Sequence, residues 1–123
     1  MRLRRSGACG ERGAVTAELA LGLPLLLALT VGLVWLLALG AAQVRVVDGA
    51  REAARALARG DPEGSAFVRA EQVAGSESQV VAHYGDGQVT VTVSRRMSGP
   101  GGLFDAWPAV GLEAQAVAAT EEP

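Results

Sequence analysis

No charged residue interrupts the chain between residues 19 and 44, and this uncharged run organises everything around it. Residues 19–42 are Leu, Ala, Gly, Val and Trp with one Pro and one Thr. About 20 such residues cross a hydrocarbon core roughly 30 Å thick, so the run predicts a membrane-spanning helix. Past it the period of 3.6 continues while the solvent changes. Val44, Val47, Ala50, Ala54, Leu57 and Ala58 keep helical spacing, and Arg45, Asp48, Glu52, Arg55 and Arg59 take the other side. Gly60-Asp61-Pro62 predicts the stop, with a residue suited to the left-handed region followed by a breaker. A helix over residues 14–59 would be ~70 Å long at about 1.5 Å per residue.

The remainder carries a different pattern. A short helix is predicted from Glu63 to Ala74 through Phe67, Val68 and Val73, and strands over residues 79–84 and 88–94. Gly85-Asp86-Gly87 between them is a hairpin signal. Val89, Val91 and Val93 alternate with Thr90 and Thr92, giving one apolar face to rest on the long helix. Ser98-Gly99-Pro100-Gly101-Gly102 reads as a connector. Leu112, Ala114, Ala116 and Ala118 fit a third antiparallel strand over residues 112–120, with helix as the rival because Ala is a weak strand former. Phe104 and Trp107 are expected to cover the end of the sheet, or else to touch a partner. The fold class is therefore α+β: a long N-terminal transmembrane and stalk helix followed by a small antiparallel sheet.

Composition narrows the chemistry. The net charge is −2 and no stretch clusters basic with aromatic residues, so nucleic acid is not an expected partner. All eleven basic residues are Arg, consistent with coding bias in an Ala- and Gly-rich chain. Cys9 is the only cysteine and His83 the only histidine, too few for a zinc site or an internal disulfide. His83 reads as structural. There is no G-x-S-x-G elbow, Gly85-Asp86-Gly87 lacks the Lys of a phosphate loop, and no internal repeat is evident. Neither an enzyme nor a cofactor is expected. Ser6-Gly7-Ala8-Cys9 has no apolar segment before it and is not read as a lipidation site.

The N-terminus leaves three readings open. A basic start with a cut after Ala42, in Gly40-Ala41-Ala42, would release a secreted binding or effector protein, although the apolar core exceeds that of ordinary signals. An uncut single-span anchor is the second. The third rests on Glu18, an acid at the lip of the span, where a carboxylate needs a compensating partner. An acid in a helix's first turn, with Thr16 as N-cap, accounts for Glu18 but not for Gly13 five positions earlier. Gly13-Ala14-Val15-Thr16-Ala17-Glu18 resembles the cleavage site of a type IV prepilin, cut after Gly13. The Ala14 ammonium would then stand one helical turn from Glu18.

Taken in order, Arg12 to Glu18, the Leu-rich span with Pro24 near its start, and Ala50-Arg51-Glu52-Ala53-Ala54-Arg55 resemble the TadE-like family of tight-adherence pilus assembly proteins. The resemblance covers residues 12–55. It implies a minor pilin whose partners are membrane lipid, a prepilin peptidase, other pilin-like subunits and the pilus assembly machinery. By position it makes Gly13 the last leader residue, Ala14 the new N-terminus and Glu18 the assembly acid. Leu19 departs from the aromatic residue that commonly follows the acid in such pilins. The implied segments are a leader at 1–13, an assembly helix at 14–43, its amphipathic continuation at 44–60, and a small extracytoplasmic α+β domain at 61–123.

Ala20, Pro24, Ala28 and Gly32 recur every fourth position and predict a shallow packing groove in lipid. Pro24 withholds the amide that would bond to the Ala20 carbonyl, so a kink or loosening is expected there. Trp35 lies too deep in the span for an interfacial anchor and is expected to pack against a helix or lipid. Arg2, Arg4, Arg5 and Arg12 flank one side and Arg45, Arg51, Arg55 and Arg59 the other. The first group lies on a short tail, so the N-terminus is placed in the cytoplasm of a bacterial cell and the C-terminal domain outside the membrane.

Overall fold

The computed structural model describes residues 8–101 and 106–121 of the chain. Phe104 and the arginines at positions 2, 4 and 5 lie outside the described residues. Two compact units are present, residues 1–36 and residues 37–123.

The first unit is the opening of helix α1 (Ala8–Ala58). Its large side chains point outward, with Leu21 at 78 % and Leu25 at 73 % exposure, so it is not the core helix of a soluble fold. By length and composition α1 can cross a membrane. Two expectations change here. The helix begins at Ala8, upstream of residue 14, and Thr16 is not its N-cap: the Thr16 hydroxyl donates to the Arg12 carbonyl four residues back at 2.8 Å. Helix assignment passes through Pro24 without a break.

In the second unit, α1 ends as the Gly60 signal predicts. Gly60 adopts φ 85°, its N–H donates to the Leu57 carbonyl, and the Asp61 N–H donates to the Ala56 carbonyl, each at 3.0 Å. This is the Schellman arrangement that satisfies the last carbonyls of a helix. Helix α2 (Glu63–Ala74) follows, then strands β1 (Gln79–Gly85), β2 (Gln88–Met97) and β3 (Val110–Ala119). The sheet is antiparallel in the order β1-β2-β3. Asp86 and Gly87 have φ 53° and 69°, the left-handed pair that a two-residue hairpin of this twist requires. The third element is a strand, not a helix, because β2 supplies it with a ladder that outweighs the weak strand propensity of Ala.

Val89, Val91 and Val93 of β2 are fully buried, as the alternation predicts. They share one core with Ala42, Val46, Ala50, Ala53, Ala54 and Leu57 of α1. The face of α2 corrects the sequence reading. Ala66, Ala70 and Ala74 are its buried residues, while Val68 is 53 % and Val73 37 % exposed. Gly49 explains the choice. A Cβ there would stand 2.9 Å from the Ala70 carbonyl oxygen and 3.0 Å from the Ala74 Cβ, so the two backbones approach too closely for larger residues. β2 also runs three residues beyond the predicted strand. Arg95 points to the core side and donates from Nη1 to the Ala74 carbonyl at 3.0 Å, meeting the C-terminal dipole of α2. Trp107 is 67 % exposed and does not cover the sheet's end as expected. His83 is exposed on β1, opposite Thr90.

Candidate processing and assembly segment

Gly13 and Ala14 are consecutive exposed residues inside α1, and Glu18 follows Ala14 by one turn on the same side. The peptide bond between Gly13 and Ala14 therefore lies within hydrogen-bonded helix. The Thr16–Arg12 bond ties the turn that contains it. Glu18 is exposed and forms no ion pair among the described residues. In lipid such a carboxylate draws its compensation from outside the helix.

Glu18 stands on the rim of a hollow of about 300 Å³, bounded by Val15, Leu19, Gly22, Leu23 and Leu26. Gly22 is part of its lining, and a Cβ there would meet nothing within 4 Å among the described residues. This glycine lies outside the every-fourth-residue row read from the sequence, and its signal was its position one turn after Glu18. Of that row, Ala20 and Pro24 are exposed and Ala28 and Gly32 half-buried. Thr30 donates to the Leu26 carbonyl at 2.8 Å, so its hydroxyl is satisfied within the helix. The structure thus groups Val15, Glu18 and Gly22 in one concavity and leaves Ala20 and Pro24 outside its lining.

A second hollow, about 540 Å³, opens over the end of the sheet among Glu77, Gln79, Ser94, Arg96 and Glu113. Its charges are mixed. Among the described residues no group of three or more His, Cys, Asp and Glu side chains is placed to hold a metal.

These features define a class: one apolar helix able to span a membrane, continued into a small α+β unit, with a single carboxylate, Glu18, at the N-terminal lip of the span. Residues 13–55 match the family model of TadE-like proteins. The match, which opens at Gly13 and closes at Arg55, covers about a third of the chain and makes that segment similar to the family. No curated protein and no solved structure matches the chain.

Proposed function

We propose that this protein is a minor pilin of a tight-adherence pilus or a related secretion apparatus, made as a precursor and cut after Gly13. The single observation that carries the reading is the coincidence of the TadE-like match, which starts at Gly13, with Glu18 one turn beyond Ala14 at the lip of the span. Hydrolysis adds water across the Gly13–Ala14 bond, leaving a carboxylate on the leader and an ammonium on Ala14. Glu18 then neutralises that ammonium or a neighbouring subunit's, which lets the helix pack sideways in a medium where an unpaired charge is costly. The role is mechanical, with the α+β unit outside the membrane. A cut after Ala42 is disfavoured because Ala42 is 5 % exposed, inside a continuous helix and part of the core.

The test is the N-terminal residue of the mature protein from its own cells, read by mass spectrometry in membrane and sheared surface fractions. Ala14 supports the proposal. Gln43 in the medium identifies a secreted protein, and an intact Met1 an uncut anchor; either outcome overturns it. Gly13→Leu is expected to leave insertion intact and the mass at that of the precursor. Glu18→Ala is expected to insert and be cut, yet to be recovered from sheared filaments at a level reduced by an order of magnitude or more.

A further inference from the structure

The hydrogen-bond register leaves two open edges on the sheet, and they fit each other. The Thr120 N–H donates to the Gly87 carbonyl at 2.9 Å, which fixes which residues of β3 bond to β2. In an antiparallel pair these alternate, so residues 110, 112, 114, 116 and 118 face β2, while Gly111, Glu113, Gln115, Val117 and Ala119 direct N–H and C=O away from the sheet. The two-residue turn closing on Gly85 and Gln88 fixes β1 in the same way. Val80, Ala82 and Tyr84 direct their backbone groups outward there. Among the described residues one bond reaches the β3 edge: Gln43 of α1 donates from Nε2 to the Glu113 carbonyl at 3.1 Å. That leaves Gln115, Val117 and Ala119 as an open array of three residues, and Val80, Ala82 and Tyr84 as another.

We propose that the β3 edge of one copy takes the β1 edge of a second copy in parallel, extending the sheet from subunit to subunit. The sheet has three strands, so β1 and β3 run in the same direction, and a copy in the same orientation presents β1 parallel to β3. The faces agree as well. Outward groups belong to outer-face residues on β3 and to core-face residues on β1, the offset a parallel ladder needs. Two registers pair three with three, setting Val117 beside either Val81 or His83 of the other copy, and the Val81 register is the one that matches apolar with apolar. The outer-face side chains of Val117 and Val81 are 58 % and 48 % exposed, and each has an apolar partner only in this pairing. Neither stretch carries Pro, Asp, Glu, Lys or Arg, the residues with which exposed edges are usually blocked. The contact is heterologous, the type that can run on from copy to copy as a filament requires. The inference rests on the pilus reading for its setting.

The experiment is disulfide trapping of the full-length chain in membranes and sheared fractions, in a Cys9→Ser background so that no native thiol remains. Neighbouring strands place paired Cα atoms within the range a disulfide spans. Val81→Cys and Val117→Cys expressed together are expected to give linked dimers, and the double variant a ladder of higher species. Gln115→Pro added to the double variant removes one outward N–H without touching the bonds to β2, and should reduce the ladder at least tenfold while leaving thermal unfolding within a few degrees. Absence of an 81–117 link, or self-linking of Val117→Cys alone, would overturn the proposal. A ladder from a chain absent from sheared filaments retains the pairing and removes the pilus reading. Filaments that contain the chain without a ladder do the reverse.

Discussion

Gly49→Ala isolates the close crossing of α1 and α2. In an isolated helix this exchange stabilises by about 1 kcal/mol, because Gly loses more backbone freedom on folding. Here the added methyl would stand 2.9 Å from the Ala70 carbonyl oxygen and 3.0 Å from the Ala74 Cβ. Both are held in α2, and neither is the tip of a flexible chain, so relief requires α2 to move away from α1. Overpacking costs roughly 1–3 kcal/mol, and with helix-held neighbours that cannot swing aside the upper part of that range, about 2–3 kcal/mol, applies; less the helix gain, the net expectation is a loss of about 1–2 kcal/mol. For a unit of this size that lowers Tm by roughly 4–16 °C. Gly64→Ala is the control: it lies in α2 with nothing within 4 Å of the new atom, and is expected to be neutral or slightly stabilising. The assay is thermal unfolding of the full chain in detergent, followed by protease resistance of the C-terminal unit. A Gly49→Ala protein as stable as wild type, or more so, would show that the helices do not approach as argued.

Five further substitutions, at four positions, probe the sheet and its helix. Gly87→Ala places a Cβ on a residue with φ 69° and should destabilise by about 1 kcal/mol, whereas Asp86→Asn, suited to the same left-handed region, should change Tm by no more than a degree or two. Arg95→Ala removes the bond to the Ala74 carbonyl and should cost about 1–3 kcal/mol in denaturant titration. Arg95→Met is expected to recover part of that loss, because it keeps an apolar stem that Ala lacks and, like Ala, removes the Nε that is buried without a hydrogen-bond partner. Val91→Ala empties a fully buried position between the outer strands and should cost about 2 kcal/mol, read as a lower urea midpoint at unchanged slope.

The parts legible in the sequence are those whose cause is local. Asp86-Gly87 determined its own turn, Gly60 its own helix end, and the Val/Thr alternation of β2 its own buried face. What was not legible depends on a second element. Phe67, Val68 and Val73 looked like the inner face of α2 because they are the large apolar residues, yet the distance to α1 at Gly49 decides in favour of Ala66, Ala70 and Ala74. The predicted strand stops at residue 94, where the Val/Thr alternation ends and two arginines follow. The carbonyl at the end of α2 reverses this, and it cannot be known before α2 is placed. The hollow beside Glu18 was missed for a related reason: the row at 20, 24, 28 and 32 was sought by composition, whereas the concavity follows the side chains flanking Gly22.

The same helix therefore uses small residues under two different conditions. At Gly49 the gap left by a missing side chain is filled within the chain, by α2, and water gives the apolar surfaces reason to close. At Gly22 and Gly32 no other side chain or element among the described residues comes within 4 Å of where a Cβ would stand, and Leu21, Leu23 and Leu33 beside them are exposed. Lipid supplies no comparable hydrophobic driving force between helices; close van der Waals contact and polar pairing are what bring them together. Such small residues therefore matter in the span only if another helix reaches them, and Glu18, one turn before Gly22, is the group whose pairing would make that contact favourable. The first half of α1 is built to be completed from outside the chain, and the second half is already complete.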